Sequence, residues 1–103
     1  MYKLVFFVPS THLNPVKAAV FAAGAGKIGN YQECCWQVKG EGQFRPVEGA
    51  DPFVGSTGVL EVVEEYRVEL VCDDALIRTA VAALKQAHPY EEPAYDVWQL
   101  ADL

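Results

Sequence analysis

The chain has 103 residues, the size of one domain, and 51% of them are hydrophobic, which is typical of a globular protein. Its formal net charge is −6 and its eight Lys and Arg residues form no cluster, which argues against nucleic-acid binding. The apolar run of residues 4–8 is too short for a secretory signal, and no stretch is long enough to cross a bilayer. Three cysteines, an odd number with two of them adjacent, indicate reduced thiols, and we expect a cytoplasmic protein without a membrane partner.

The first elements are a strand and a helix. Residues 4–8 are apolar at every position and predict a central strand. Asn14 as N-cap and Pro15 at the first helical position predict a helix over residues 15–23. Gly24 or Gly26 would supply the left-handed residue that ends it.

The second strand is predicted over residues 31–38, with Cys34, Trp36 and Val38 on one face. Residues 40–42, Gly-Glu-Gly, indicate a hairpin turn followed by a returning arm over residues 43–47. Residues 48–58 contain three glycines and a proline and predict a loop. Its apolar residues 52–54 must pack on another part of the protein.

The C-terminal half repeats the strand–helix–strand order. Residues 60–72 predict a long strand whose apolar and charged residues alternate between its two faces. Asp73 or Asp74 would cap a second helix, which ends near residue 87 because His88 precedes a proline. Residues 95–100 alternate as a closing strand.

This order predicts an α+β fold, a ferredoxin-like βαββαβ sandwich, as one domain over residues 1–103. Both helices would cover one face of an antiparallel sheet, and an extended β-hairpin arm would span residues 38–60. Residues 4–8, Trp36 and Trp98 carry more apolar surface than one covered face can hide. Because large exposed apolar patches mark interfaces, we expect a homo-oligomer.

Three segments carry a resemblance to a known family: GKIGNY at 26–31, PFVGSTG at 52–58 and HPYEEPAYD at 88–96. In this order they resemble the domain inserted in many bacterial members of the Ngg-interacting-factor-three family, and the resemblance implies a free-standing version of that domain. Residues 88–91 also resemble a segment of the CutA family, whose members are trimers related in fold to the PII signalling proteins. The resemblance therefore implies a CutA/PII-like fold and a trimer.

Full-length members of the Ngg-interacting-factor-three family carry a separate domain with a dinuclear metal centre, held by several His and carboxylate ligands. This chain has only two histidines, His12 and His88, and no residues left over for such a domain. We therefore do not carry over a metal-dependent hydrolase activity from the resemblance.

Residues 88–92 form the first candidate site. His88 and Glu91 are candidate ligands of a divalent metal ion, because imidazole and carboxylate groups suit such ions, and another subunit would complete the shell. Tyr90 and Glu92 are candidates for a ligand pocket between subunits, to which Tyr95 would add an aromatic wall. The alternative is that His88 only ends the helix and that the glutamates are solvated.

Residues 26–31 form the second candidate site. Lys27, Gly29 and Asn30 could bind an anion through backbone N–H groups and the ammonium, with Tyr31 beside them. The alternative is a helix stop followed by a tight turn, because phosphate loops precede a helix and this segment follows one.

The remaining chemistry-bearing residues favour structural roles. Cys34 and Cys35 are neighbours on a predicted strand and point to opposite faces, so we expect Cys34 in the core with Trp36, and Cys35 near an interface. Cys72 is expected to be buried at a strand end. No acid, base and nucleophile combine around His12.

The sequence predicts a non-enzymatic, oligomeric binding or regulatory module that holds a small ligand or a divalent cation between subunits. The site would combine Gly29 to Tyr31 of one chain with residues 88–92 of the same or a neighbouring chain. The alternative is a protein-interaction subunit that uses these segments to bind a partner protein. A metal-dependent hydrolase is the third hypothesis, and no cofactor other than a divalent metal ion is implied.

Overall fold

A computed structural model describes all residues, 1–103, as four strands and two α-helices. A 3₁₀ turn over Ser10–His12 joins the first strand to the first helix. In chain order the elements are β1 (Tyr2–Pro9), α1 (Leu13–Ala22), β2 (Trp36–Phe44), β3 (Glu61–Cys72), α2 (Ile77–Ala87) and β4 (Tyr95–Gln99).

The four strands form one sheet in the order β2-β3-β1-β4, and every neighbouring pair is antiparallel. On β1, Phe6 lies opposite Val68 of β3 and opposite Tyr95 of β4. This is the predicted ferredoxin-like arrangement, in which β1 and β3 are central because each split βαβ unit leaves room for a strand of the other.

The main core lies between one face of the sheet and the two helices. Its buried strand residues alternate along β1 and β3, as predicted, and its helical residues recur at helical spacing. The residues from the strands are Leu4, Phe6, Val8, Val68, Leu70 and Cys72, and those from the helices are Leu13, Val16, Val20, Ile77, Ala80 and Leu84. Burial raises the pKa of the Cys72 thiol, so this cysteine is a packing residue, as expected.

Helix α1 begins at Leu13, so the prediction of Asn14 as N-cap and Pro15 as first helical residue is wrong. The 3₁₀ turn leads directly into the helix, and Pro15 is tolerated there because N–H groups of the first turn have no helical partner. The end of the helix is as predicted. Gly24 has a φ of +103°, and the N–H groups of Gly24 and Ala25 donate to the carbonyls of Phe21 and Val20.

Strand β2 corrects two predictions. It begins at Trp36 and continues through Gly40 and Gly42, so the hairpin turn predicted at residues 40–42 is wrong. Gly42 is paired with Val63, and a Cβ there would lie 2.0 Å from the Glu65 carboxylate, so this glycine makes room for a side chain. Gly42 therefore serves packing within the strand rather than a turn, whereas a Cβ at Gly40 would meet no other atom within 4 Å.

The expected burial around Cys34 is also wrong. Cys34 precedes β2, and Trp36 is 58% exposed on the face of the sheet away from the helices. Cys35, expected near an interface, packs against the core instead. The strand starts later than predicted, so the alternation that placed Cys34 in the core does not apply.

The hairpin of β2 and β3 extends beyond the central sheet. Pairing of β1 with β3 ends at Pro9 and Glu65, whereas β2 and β3 stay paired as far as Phe44 and Glu61. Residues 45–60 form the loop at the tip of this arm, and the molecule measures 46 × 24 × 24 Å. The extended arm is therefore present, and the loop predicted over residues 48–58 lies within it. Residues 43–47, predicted as a returning arm, instead complete β2 and begin this loop.

Helix α2 begins at Ile77 after a turn in which the Leu76 N–H donates to the Asp73 carbonyl. The prediction of Asp73 or Asp74 as the cap is therefore wrong, because Leu76 precedes the helix and no side chain caps it. The C-terminal end follows the prediction, since His88 is extended before Pro89.

The second face of the sheet, which we call the open face, carries no helix. Val5 is buried at its centre, and Trp36, Val38 and Trp98 are each more than 40% exposed around it. Arg67 pairs with Glu69 at 2.8 Å and lies over the Phe7 ring on the same face. Neither helix is long and apolar enough to cross a membrane.

Candidate functional site

The arm loop of residues 45–60 folds onto the segment that follows α2. The Phe53 ring lies 5.3 Å from the His12 ring and 6.3 Å from the Tyr90 ring, measured between centroids. The Asp51 N–H donates to the Glu91 carboxylate over 3.1 Å. The expectation that residues 52–54 pack on another part of the protein is met in part, because Phe53 contacts the His12 and Tyr90 rings while 52% of its surface is exposed.

A cleft of about 360 Å³ lies between the arm, its loop and residues 90–94. The lining combines aromatic rings, aliphatic loop residues and a few charged side chains. The aromatic and charged residues are Phe7, Phe44, Phe53, Tyr90, Arg45, Glu65, Glu91 and Glu92. An apolar cleft with a few convergent polar groups has the character of a small-molecule site, and this volume is near the lower end for one.

His88 does not line the cleft but contacts Tyr90, which does. It is buried, with 5% of its surface exposed. Its Nε2 lies 2.7 Å from the Phe7 carbonyl oxygen, and its Nδ1 accepts the Tyr90 N–H over 3.1 Å. Since a carbonyl only accepts, Nε2 carries the proton and the imidazole is neutral. Burial lowers the pKa of His88, which agrees with the neutral form.

Tyr90 is hydrogen-bonded to His88 through its backbone and lines the cleft with its side chain. Its hydroxyl donates to Oε2 of Glu65 over 2.9 Å, and its ring lies 5.9 Å from that of Phe44. Burial and the hydrogen bond to Glu65 raise the pKa of the Tyr90 hydroxyl well above its usual value, so it remains a donor at neutral pH. The Glu65 side chain crosses over Gly42 to make this contact.

The charges of the cleft are not paired with one another. The ion pairs of the protein join the N-terminus to Asp74, Lys39 to Glu64 and Arg67 to Glu69. None of the ion pairs includes Arg45 or the three glutamates of the cleft. The carboxylates of Glu65 and Glu91 are instead oriented by neutral donors.

The predicted residues separate into two groups. Tyr90, Glu91 and Glu92 line the cleft, and His88 lies behind it. The four predicted residues of the other segment, Lys27, Gly29, Asn30 and Tyr31, are all exposed. That segment is attached by the Gly26 N–H to the Val71 carbonyl, at the opposite end of β3 from Glu65. One protomer therefore does not bring the two segments together.

The predicted cation site at His88 and Glu91 stays a prediction. Both ring nitrogens of His88 are engaged in hydrogen bonds within the chain, so metal ligation would require at least one of them to be released. No group of three or more His, Cys, Asp or Glu side chains lies close enough together to hold a metal ion.

Part of the cleft is formed by residues of the arm, which the sequence does not indicate as site residues. The sequence predicts Phe44 and Arg45 in the returning arm and Glu65 in a strand, and it indicates no role in a site for any of the three, although all line the cleft. The available signal was Phe53 in a loop rich in glycine, since an apolar residue there must find a partner. Its partner, Tyr90, lies 37 positions later in the chain, which periodicity does not reveal.

Comparison with known proteins identifies relatives of much greater length. No family model matches the chain. A protein of Halalkalibacterium halodurans named GTP cyclohydrolase 1 type 2 homolog is 50% identical over 102 residues, which are 99% of this chain and 27% of the relative. The chain thus spans about a quarter of the curated relatives that it matches.

Two solved structures show the same fold. A Bacillus cereus protein related to NIF3, the Ngg-interacting factor three, matches with a TM-score of 0.83 and 46% identity, over 98% of this chain and 26% of that one. The PII-like protein CutA from Nostoc matches with a TM-score of 0.67 and 14% identity, over 97% of this chain and 81% of that one. The resemblance inferred from the three sequence segments is confirmed by these matches, and so is the predicted fold.

Proposed function

We propose that this chain, a CutA/PII-like domain corresponding to one quarter of proteins related to NIF3, is a non-enzymatic binding or regulatory module. Its ligand is a small molecule held in the cleft between the arm loop and residues 90–94. The observation that carries the proposal is the cleft itself, about 360 Å³ with four aromatic side chains and unpaired charges in its lining. The nearby imidazole of His88 supports the backbone rather than serving as a base.

The proposal includes self-association through the open face. Trp36 and Trp98 are 58% and 45% exposed there, and burying such aromatic surface is a strong driving force for association. Phe7 and Glu65 belong both to this face and to the cleft, so a second protomer on the open face would also border the cleft. A trimer is the assembly that the resemblance to CutA implies.

The exposed segment of Gly29 to Tyr31 belongs to the proposal as a contribution from a neighbouring protomer. Tyr31 is 75% exposed and Gly29 has open space around its Cα. Because this segment and residues 88–92 lie at opposite ends of one sheet, only contact between protomers could combine them.

Other candidate functions have less support. A divalent cation at His88 and Glu91 would need ligands from a second subunit and the release of His88 from a hydrogen bond. A protein-interaction subunit would use the open face for a different partner. A hydrolase activity would be inferred only from the relatives, which are about four times longer and whose name mentions GTP cyclohydrolase 1 type 2. Cytoplasmic localisation stays part of the proposal.

Light scattering coupled to size-exclusion chromatography tests the association. The unmodified chain should elute as an oligomer at micromolar concentration, and Trp98→Glu should dissociate it because a charge enters the apolar patch. Ala82→Glu adds the same charge on the exposed side of α2 and should leave the oligomer intact. A monomeric unmodified chain would contradict this part of the proposal.

Protein-observed NMR with a library of aromatic fragments tests the cleft. Fragments of any charge that bind there should shift the backbone amide signals of Phe44, Phe53 and Tyr90 together. Shifts confined to other surfaces would contradict the assignment of the cleft as the ligand site.

A further inference from the structure

The charges around the cleft are unbalanced. Glu65, Glu91 and Glu92 contribute three carboxylates and Arg45 contributes one guanidinium, so the lining has a formal charge of −2. None of these groups forms an ion pair within 4.0 Å. The chain as a whole, the cleft included, has a net charge of −6, which disfavours an anionic ligand such as a phosphate.

The aromatic residues add a second preference for positive charge. Phe44 and Phe53 are inclined to Tyr90 by 60° and 48°, so neither ring is stacked flat against Tyr90. These residues supply three π-systems to the cleft, whereas the Phe7 ring, which also lines it, already has the Arg67 guanidinium over it at 5.8 Å. The face of an aromatic ring attracts a cation, and the attraction increases where water is partly excluded.

The carboxylates are oriented without being neutralised. The Tyr90 hydroxyl holds one oxygen of Glu65, and the Asp51 N–H holds one oxygen of Glu91. Both donors are neutral, so each carboxylate keeps its charge and a second oxygen with no protein donor. The Glu65 oxygen without a donor lies above Gly42, where the missing side chain leaves it uncovered.

We propose that the cleft selects a small organic cation, a protonated amine attached to an apolar or aromatic body. The ammonium would be placed among the carboxylates of Glu65 and Glu91, and the apolar body would lie against Phe44, Phe53 and Tyr90. This inference rests on the proposed function, because it names the class of ligand for the same cleft.

The test uses three probes of similar shape: 2-phenylethylamine as cation, 2-phenylethanol as neutral analogue and 3-phenylpropanoate as anion. Each is titrated into the full chain at about pH 7, where the amine is protonated, and Kd is followed through the Phe53 and Tyr90 amide signals. The amine should bind about tenfold tighter than the alcohol, and the propanoate should bind weakest. Raising the salt from about 50 to about 500 mM should weaken only the amine several-fold.

Two variants locate the effect. Glu65→Gln retains an acceptor for the Tyr90 hydroxyl, and Glu91→Gln retains one for the Asp51 N–H. Each should weaken the amine about three- to tenfold and leave the alcohol unchanged. Glu48→Gln, an exposed substitution in the arm loop but outside the cleft, is the control of the same chemistry and should change neither.

The outcomes separate the two proposals. If the alcohol or the propanoate shifts the cleft signals as tightly as the amine, the cation preference is overturned and the cleft remains a binding site. Equal affinity of the amine for the Glu65→Gln, Glu91→Gln and unmodified chains also overturns the preference. If no probe shifts these signals up to about 10 mM, a concentration at which even weak binding is visible, the proposed use of the cleft fails as well.

Discussion

The two segments at opposite ends of the sheet, residues 26–31 and residues 88–92, are held in different ways. Backbone hydrogen bonds alone fix the first, through Gly26 to Val71 and between Ile28 and Tyr31, while its side chains extend into solvent. In the second segment, side chains make the contacts that set the backbone. Substitution of His88 or Tyr90 should therefore change stability. Substitution of the exposed residues Lys27, Asn30 and Tyr31 should change only the contacts that the surface makes.

The largest expected effect is that of His88→Ala. The substitution removes a buried ring and leaves the Phe7 carbonyl and the Tyr90 N–H without their partner. We expect the free energy of unfolding to fall by about 2–4 kcal/mol, measured by urea denaturation of the unmodified and variant chains.

Tyr31→Ala is the counterpart in the other segment. Tyr31 is 75% exposed, so its removal should change the free energy of unfolding by at most about 0.5 kcal/mol. A loss as large as that of His88→Ala would show that the two segments do not differ in the way described.

The second expected effect is a dependence of the free energy of unfolding on pH. Burial lowers the pKa of His88 below its ordinary value of 6.5, so the unfolded chain binds a proton more readily than the folded chain. The contribution of neutral His88 to the free energy of unfolding is therefore complete above about pH 6.5. It declines as the pH falls toward the folded-state pKa, by at most about 1.4 kcal/mol per pH unit. Urea denaturation between about pH 7.5 and pH 5.5 measures the slope.

His88→Gln isolates the contribution of this one group, because the amide does not titrate. The slope in this range should be smaller for the variant than for the unmodified chain. Equal slopes would mean that His88 does not titrate differently in the folded and unfolded states.

A smaller effect is expected at the glycines of β2. In Gly42→Ala the new Cβ would meet the Glu65 carboxylate, which must move and lose the Tyr90 hydroxyl. We expect a loss of about 1 kcal/mol in the free energy of unfolding. The pKa of Tyr90, followed by NMR of ring-labelled tyrosine, should fall toward its ordinary value.

Gly40→Ala is the matched control in the same strand, because nothing lies within 4 Å of a Cβ at that position. It should leave the Tyr90 pKa unchanged and should not lower stability, since alanine is more favourable than glycine in a strand. If both variants behaved alike, the contact between Gly42 and Glu65 would have no part in the effect.

Local patterns were sufficient for most of the fold. The period-two alternation of β3, the apolar run of β1 and the His88-Pro89 helix end each depend on neighbouring residues, and each prediction agrees with the structure. The same local rules misassigned residues 40–42, because glycines that signal a turn also occur where a side chain from the next strand needs space.

The cleft was harder to predict because its parts are distant in sequence. Tyr90 and Glu91 were identified as candidates from one short segment, but their contacts with Phe53, Glu65 and Asp51 come from residues 25 to 40 positions away. Such contacts depend on where the arm loop folds back, which is a tertiary property. The pairing of His88 with the Phe7 carbonyl, 81 positions apart, is hidden for the same reason.

The position of β1 in the middle of the sheet has a consequence for the order of folding. Both of its neighbours come late in the chain, β3 at Glu61–Cys72 and β4 at Tyr95–Gln99. During synthesis the apolar residues 4–8 therefore have no strand to pair with until residues 61–72 have left the ribosome. Because pairing between distant residues slows folding, we expect this sheet to form slowly and β1 to be open to aggregation or chaperone binding in the interval.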